Sequence, residues 1–259
     1  MSGANMIRAM LLALPLCVLA ACVTSDGREV NEKEAARANV DLGVAYLKQG
    51  NLQVAKDKLE RAARQDPKLP EVYWVMASLY ERMEQPKDAD QNYQKALNLA
   101  PTNSQIVNTY AVFLCKQGQV DRALPMFEKV ISDKLYKTPY AAAANAGMCL
   151  RDDKRNADSQ RYFERALAMA PGFIDAAVGL SDLQLTQGNP DAARHTVDAF
   201  LGNGNRSADL LVVGVRAAVA QRDCGATQIY SRLLRRDFPN AAQTSALPQL
   251  LGSCASLAR

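Results

Sequence analysis

Apolar and small residues recur along this chain with a helical step, and the clearest stretch runs from Pro70 to Pro101. Tyr73, Met76, Ala77 and Tyr80 fall on one side of a helix. After a break at Gln85-Pro86-Lys87, Ala89, Tyr93 and Ala96 fall on one side of a second. Pro101 stops that second helix, because proline lacks the N–H and disfavours helix in the residue before it. Neither short helix buries its stripe alone; paired as a hairpin they cover each other and leave faces that need neighbours. Shifting the pattern back by 34 residues places it on Asn39, Leu42, Gly43, Tyr46, Ala55, Leu59, Ala62 and Pro67. Shifting it forward, in steps of 34 with one step of 36, reaches four more copies, which centre on Phe127, Phe163, Val197 and Ser231. Small residues at Gly43, Ala77, Ala111 and Gly147, and opposite them at Ala55, Ala89, Ala123 and Ala193, let the two helices of each pair approach closely.

A two-helix unit with a period of 34 resembles the tetratricopeptide repeat. The resemblance implies an all-α fold: a right-handed superhelical solenoid of six repeats over residues 35–241 with a C-terminal capping helix. The repeats run at about 36–69, 70–103, 104–139, 140–173, 174–207 and 208–241, and the cap occupies 242–259, its helix expected from Ala246 to Leu257 around Leu247, Leu250 and Leu251. The family's tryptophan is missing from its usual place, where the second copy has Tyr73. Gly50, Gly118 and Gly188 mark left-handed turns that end the first helix of three repeats. The third repeat carries two extra residues within Ser132–Tyr140 (SDKLYKTPY), which predicts a longer loop. Gly202-Asn203-Gly204-Asn205 follows no strand and leads to no Lys-Ser or Lys-Thr, so it reads as a turn between repeats and not as a phosphate cradle.

Residues 1–21 read as a secretory signal: Arg8 precedes an uncharged apolar run that is too short for a membrane span, and either Met1 or Met6 is the start. Leu19-Ala20-Ala21-Cys22 resembles the lipobox of bacterial lipoproteins. That resemblance implies that Cys22 is the lipidated first residue of the mature protein. The next residue is Val23, not an aspartate, which by the same resemblance directs the protein to the periplasmic face of the outer membrane. Residues 22–34 are polar and without periodicity, and are expected to form a tether.

Composition changes this picture little. Of 259 residues, 48% are hydrophobic and 22% charged, and the formal charge of +4 is spread without a basic block, so nucleic acid is not an expected partner. The chain has one histidine, His195, and no Gly-x-Ser-x-Gly or metal-spaced cluster, so no catalytic role, cofactor, metal or small-molecule substrate is expected beyond the lipid on Cys22. Asp152-Asp153 reads as a solvated turn. Setting Cys17 and Cys22 aside, four cysteines remain in an oxidising compartment: Cys115, Cys149, Cys224 and Cys254. They allow three pairings. Cys115 and Cys149 lie near the ends of first helices that stack side by side in such a fold, and Cys224 and Cys254 would tie the last repeat to the cap.

The first helices of such a solenoid line its concave face, whose usual role is to bind a peptide or a protein. At the N-terminal end that lining reads Arg37, Val40, Val44 and Leu47, then Glu71, Trp74, Ser78 and Glu81; further along come Asp175, Asp182, Asp209 and Arg216. Repeats that grip a terminal carboxylate carry lysine and asparagine where this chain has Val40 and Val44, so an apolar segment is the better ligand for Val40, Val44, Leu47, Trp74 and Ser78. A lipobox, a short tether, six repeats and a cysteine pair in repeats three and four together resemble the pilotin lipoproteins of type IV pilus biogenesis. That family binds secretin subunits, takes them to the outer membrane and promotes their assembly into the pore. The alternative is a repeat lipoprotein that serves as a scaffold for another envelope assembly or for peptidoglycan enzymes.

Overall fold

The structure, a computed structural model, describes residues 25–252 and 254. Thirteen helices and no strand occur among these residues, so the all-α expectation holds. They divide into two compact units that meet in sequence at Lys68 and Leu69, each described by itself.

The first unit holds α1 (Ser25–Lys48) and α2 (Leu52–Gln65). Asn51 caps α2 by accepting from the Val54 N–H, and Ala55, Leu59 and Ala62 form its buried stripe. Gly43 is required by this packing: a Cβ there would stand 2.8 Å from Leu59 Cγ and Cδ2. The buried Asn39 is satisfied locally, since its Nδ2 donates to Ala35 O at 3.0 Å and Gln65 Oε1 at 2.7 Å. Two expectations are corrected here. The segment read as a tether is helical from Ser25 onward. Its Glu, Lys and Arg residues are good helix formers, and residues 30–34 are exposed on every side, so no apolar period marks the helix. Leu42 is 43% exposed, although its equivalents Met76, Tyr110 and Ala146 are buried. This position faces the preceding helix pair: Tyr110 stacks on Tyr93 of the pair before it, with centroids 5.3 Å apart. Among the described residues no pair precedes α1 and α2.

The second unit stacks five pairs and a last helix. The pairs are α3 (Pro70–Arg82) with α4 (Pro86–Leu99), α5 (Ser104–Lys116) with α6 (Val120–Ile131), α7 (Pro139–Asp152) with α8 (Asn156–Met169), α9 (Ile174–Thr186) with α10 (Pro190–Gly202), and α11 (Ala208–Ala220) with α12 (Cys224–Asp237). α13 (Ala242–Leu250) follows. Proline opens α3, α4, α7 and α10, where its missing N–H has no partner to lose. From α5 onward each first helix touches the next first helix, and α13 continues that row against α11. The core lies between the rows. Tyr93, Phe127 and Phe163, fully buried, dock one repeat apart against small residues of the first helices. Each such side chain contributes roughly 1.5–3 kcal/mol of burial. Phe163 is the tightest case: a Cβ on Gly147 would stand 2.8 Å from its ring, and one on Gly179 would overlap it.

The turn within each pair has one geometry. Gly50, Gly118 and Gly188 adopt φ of +79°, +71° and +77°, and Glu84, Lys154 and Arg222 fill the same turn of the other three pairs at +56°, +63° and +57°. In each turn the residue after this one sends its N–H back five residues, as Gln119 does to Leu114 O at 2.8 Å and Arg155 to Leu150 O at 2.8 Å, which closes the end of the first helix. The helix of the C-terminal cap begins four residues earlier than expected and ends at Leu250, where Gly252 turns left-handed (φ +49°). Leu247 and Leu251 are its buried contacts, and residues 255–259 lie outside the described residues.

Candidate functional site

The five side chains expected to line the groove are distributed over both units. In the first, Val40 is buried, whereas Val44 and Leu47 are half-buried and Arg37 is exposed. Val40 is therefore corrected from a surface contact to a core residue: with 7% of its surface accessible it offers a ligand almost nothing. In the second unit α3 carries Trp74 and Ser78 one turn apart, both half-buried. Trp74 does not stand clear of the core either. It packs against the main apolar cluster, because an indole reaches well beyond its own helical turn, and its Nε1 is buried without a hydrogen-bond partner among the described residues, as is Glu71 Oε2. The Ser78 hydroxyl donates to Trp74 O at 3.3 Å and lies 3.4 Å from the Tyr93 hydroxyl. Tyr93 in turn donates to Glu81 Oε1 at 2.5 Å, and Lys116 Nζ approaches Glu81 Oε2 at 3.1 Å.

The Tyr93–Glu81 bond belongs to a pattern that the sequence reading missed. Tyrosines of the second unit donate to carboxylates of neighbouring helices: Tyr110 to Asp90 at 2.7 Å, Tyr162 to Glu128 at 2.5 Å and Tyr230 to Asp198 at 2.5 Å. Burial first, and then the hydrogen bond to an anion, pushes these phenols up, Tyr162 to about 12. Arginines complete the joints. Arg165 bonds Glu128 at 2.8 Å and Arg194 bonds Asp223 at 2.7 Å. Burial opposes charge on Glu128, but the bonds from Tyr162 and Arg165 outweigh it and hold this carboxyl below its ordinary range. An acid about one period ahead of a tyrosine, as Glu128 is of Tyr162, was the available signal. In the first-helix row, Asp182 sits between Arg216 at 2.5 Å and Arg151 at 3.5 Å, while Asp175 and Asp209 are exposed. This end of the row is an ion-pair network already satisfied from within.

Two covalent links cross the helices. Cys115 at the end of α5 is bonded to Cys149 of α7 (S–S 1.97 Å, Cα–Cα 5.5 Å), and Cys224 at the start of α12 to Cys254 (1.99 Å and 5.2 Å). Cys22 and the signal lie outside the described residues. His195 is exposed on α10. Among the described residues no group of three or more His, Cys, Asp or Glu side chains is placed to hold a metal, and no helix is long and apolar enough to cross a membrane.

Family models describe most of this chain. The tetratricopeptide repeat matches residues 26–70 and 150–209, and the YpiA-like C-terminal tetratricopeptide repeats match 70–134. The chain belongs to the tetratricopeptide-repeat family. Its homologues narrow that statement. The type IV pilus assembly protein PilF of Pseudomonas aeruginosa is 28% identical over 242 residues, which are 92% of this chain and 96% of that protein. The solved structure of PilF superposes with a TM-score of 0.66 at 27% identity, over 85% of this chain and 99% of PilF. The crystal structure of PilW, a widely conserved type IV pilus biogenesis factor, gives 0.68 at 25% identity, over 82% and 97%. An uncharacterised Haemophilus influenzae protein is 30% identical over 132 residues, which are 51% of this chain and 74% of that protein. As a tetratricopeptide-repeat homologue of these pilus biogenesis proteins, the chain presents side chains along rows of helices. Val44 and Leu47 in the first unit and Ser78 with the edge of Trp74 in the second remain its candidate contacts.

Proposed function

We propose that this protein is a lipid-anchored pilotin of the outer membrane, held there through Cys22, which binds subunits of the type IV pilus secretin and promotes their assembly into the multimeric pore. The observation that carries the reading is the near end-to-end match to PilF, 92% of this chain against 96% of that one, with the same stack of repeats. A shared repeat alone would favour no particular partner; a match along nearly the full length of both chains favours a shared assembly. The Leu19–Cys22 motif supports the anchor, and several acyl chains on one cysteine hold far more firmly than one. The role is binding, not catalysis, and its partner is a protein. Val44 and Leu47 are the apolar contacts offered by the first unit. The test is co-purification from detergent-solubilised envelopes. The wild-type chain retains the secretin, and a well-folded Val44→Asp/Leu47→Asp variant retains at least tenfold less. Capture of a different envelope complex, with no secretin, would replace this reading with the scaffold alternative. Mass spectrometry of the mature N-terminus decides the anchor: an unmodified residue other than Cys22 rules it out.

A further inference from the structure

The connection between α6 and α7 runs for seven residues, 132–138, where the other connections between pairs run for four or five. This inserted loop has a fixed shape. The Ser104 hydroxyl donates to Asp133 Oδ2 at 2.5 Å, the Leu135 N–H to Asp133 Oδ1 at 2.9 Å, and the Tyr136 N–H to Asp133 O at 3.2 Å. The Tyr136 hydroxyl reaches Gln105 Oε1 at 3.3 Å. The Ser104 hydroxyl and the Leu135 N–H hold the Asp133 carboxyl below its usual range, so the brace stays charged. Upon it stands Leu135, 91% exposed, the most exposed large apolar side chain among the described residues. Single exposed leucines are ordinary. Here the leucine is flanked by Lys134 and Lys137, both exposed and neither within ion-pair distance of a carboxylate among the described residues.

We propose that the Ser132–Thr138 loop is a second docking element, in which Leu135 enters an apolar socket rimmed by carboxylates on a partner protein. On the reading above, that partner is the secretin. A socket requires a knob whose backbone is already ordered, because association then carries less ordering cost; the hydrogen bonds within the loop and from it to Ser104 and Gln105 meet that requirement. The unpaired lysines select an acidic rim and raise the rate of encounter. A lipid surface would need no such fixed shape, and one leucine with two lysines makes a shallow insertion.

The test uses the mature chain and detergent-extracted secretin in a biosensor, with wild type, Leu135→Asp, Leu135→Met and Lys134→Glu/Lys137→Glu. Each is checked by circular dichroism, and an exposed site leaves the fold unchanged. Leu135→Asp is expected to weaken binding tenfold or more and Leu135→Met less than threefold. The double glutamate variant is expected to bind more slowly and to lose the normal weakening with salt. Equal binding by wild type and Leu135→Asp overturns the docking element. So does a loss confined to vesicles of phosphatidylethanolamine and phosphatidylglycerol (3:1), which would make the tip a membrane contact. A wild-type chain that fails to bind the secretin refutes the pilotin reading instead. The loop is then decided by a photo-cross-linking residue in place of Leu135 in living cells. One protein adduct, lost on Lys134→Glu/Lys137→Glu, supports it, and no protein adduct overturns it.

Discussion

Replacing Glu84, Lys154 and Arg222 by glycine should stabilise the protein. All three sit at the left-handed position where the other pairs carry glycine, at φ between +56° and +63°. All three are exposed, and among the described residues their side chains make no hydrogen bond or ion pair that would be lost. A side chain in this conformation costs about 1–2 kcal/mol, and glycine returns roughly 0.5–1 of that through the freedom it has in the unfolded chain. The difference is about 0.5–1 kcal/mol per site, hence roughly 1.5–3 kcal/mol for the triple variant if distant sites add. The mirror experiment is equally clean. A Cβ on Gly118 or Gly188 would meet nothing within 4 Å, so Gly118→Ala and Gly188→Ala report the backbone term alone and should each destabilise by about 0.5–1 kcal/mol. Urea titration followed by circular dichroism measures both series, and hydrogen exchange at the altered turn guards against repeats that unfold separately. If the glycine variants destabilise while the alanine variants have no effect, the left-handed turn is not the strained element described here.

Three further outcomes are expected. Cys115→Ser should cost about 3–4 kcal/mol in the chain-entropy account of a bridge across 34 residues, read as a difference in urea midpoint that disappears when both proteins are reduced. Gly179→Ala should destabilise by about 1–3 kcal/mol through collision with Phe163, and Phe163→Leu in the same chain should recover part of the loss; an unaffected single variant would contradict the packing. The phenol of Tyr162 is pushed up to about 12, so its contribution is complete below the ordinary value near 10 and disappears as pH rises through 12. Glu128 contributes in the opposite sense, with stability present above the ordinary carboxyl range and lost as acid protonates it. Tyr162→Phe should therefore cost about 1 kcal/mol at neutral pH and flatten the alkaline fall, followed by denaturation at pH 8, 10 and 12.

The repeat frame was legible because close packing forces it into composition. Gly43, Ala77 and Gly147 must be small, and Tyr93, Phe127 and Phe163 must be large, so the period shows through. The turns were half legible. Glycine announces a left-handed residue, but Glu84, Lys154 and Arg222 adopt it only because the two flanking helices impose it, and no local signal marks that. The start of α1 was hidden for the opposite reason: residues 30–34 are exposed on every side and give no stripe, and helix propensity alone does not separate them from a polar linker. In the candidate site, helical step placed Val44 and Leu47 at half-exposed positions, but step counts direction and not depth. Val40 is therefore buried and Trp74 packs on the core where both were expected to face a ligand. The tyrosine–carboxylate joints connect residues from 12 to 34 positions apart, which only the stacked fold brings together.

The most direct test of the pilotin account is the state of the secretin in cells that lack this protein. Outer-membrane fractions would be examined for detergent-resistant secretin multimers with the gene deleted, restored, or restored as Cys22→Ala. The account predicts that multimers are lost on deletion, return with the wild-type chain, and return poorly or in the wrong membrane with Cys22→Ala. Normal outer-membrane multimers in the deletion strain would contradict it.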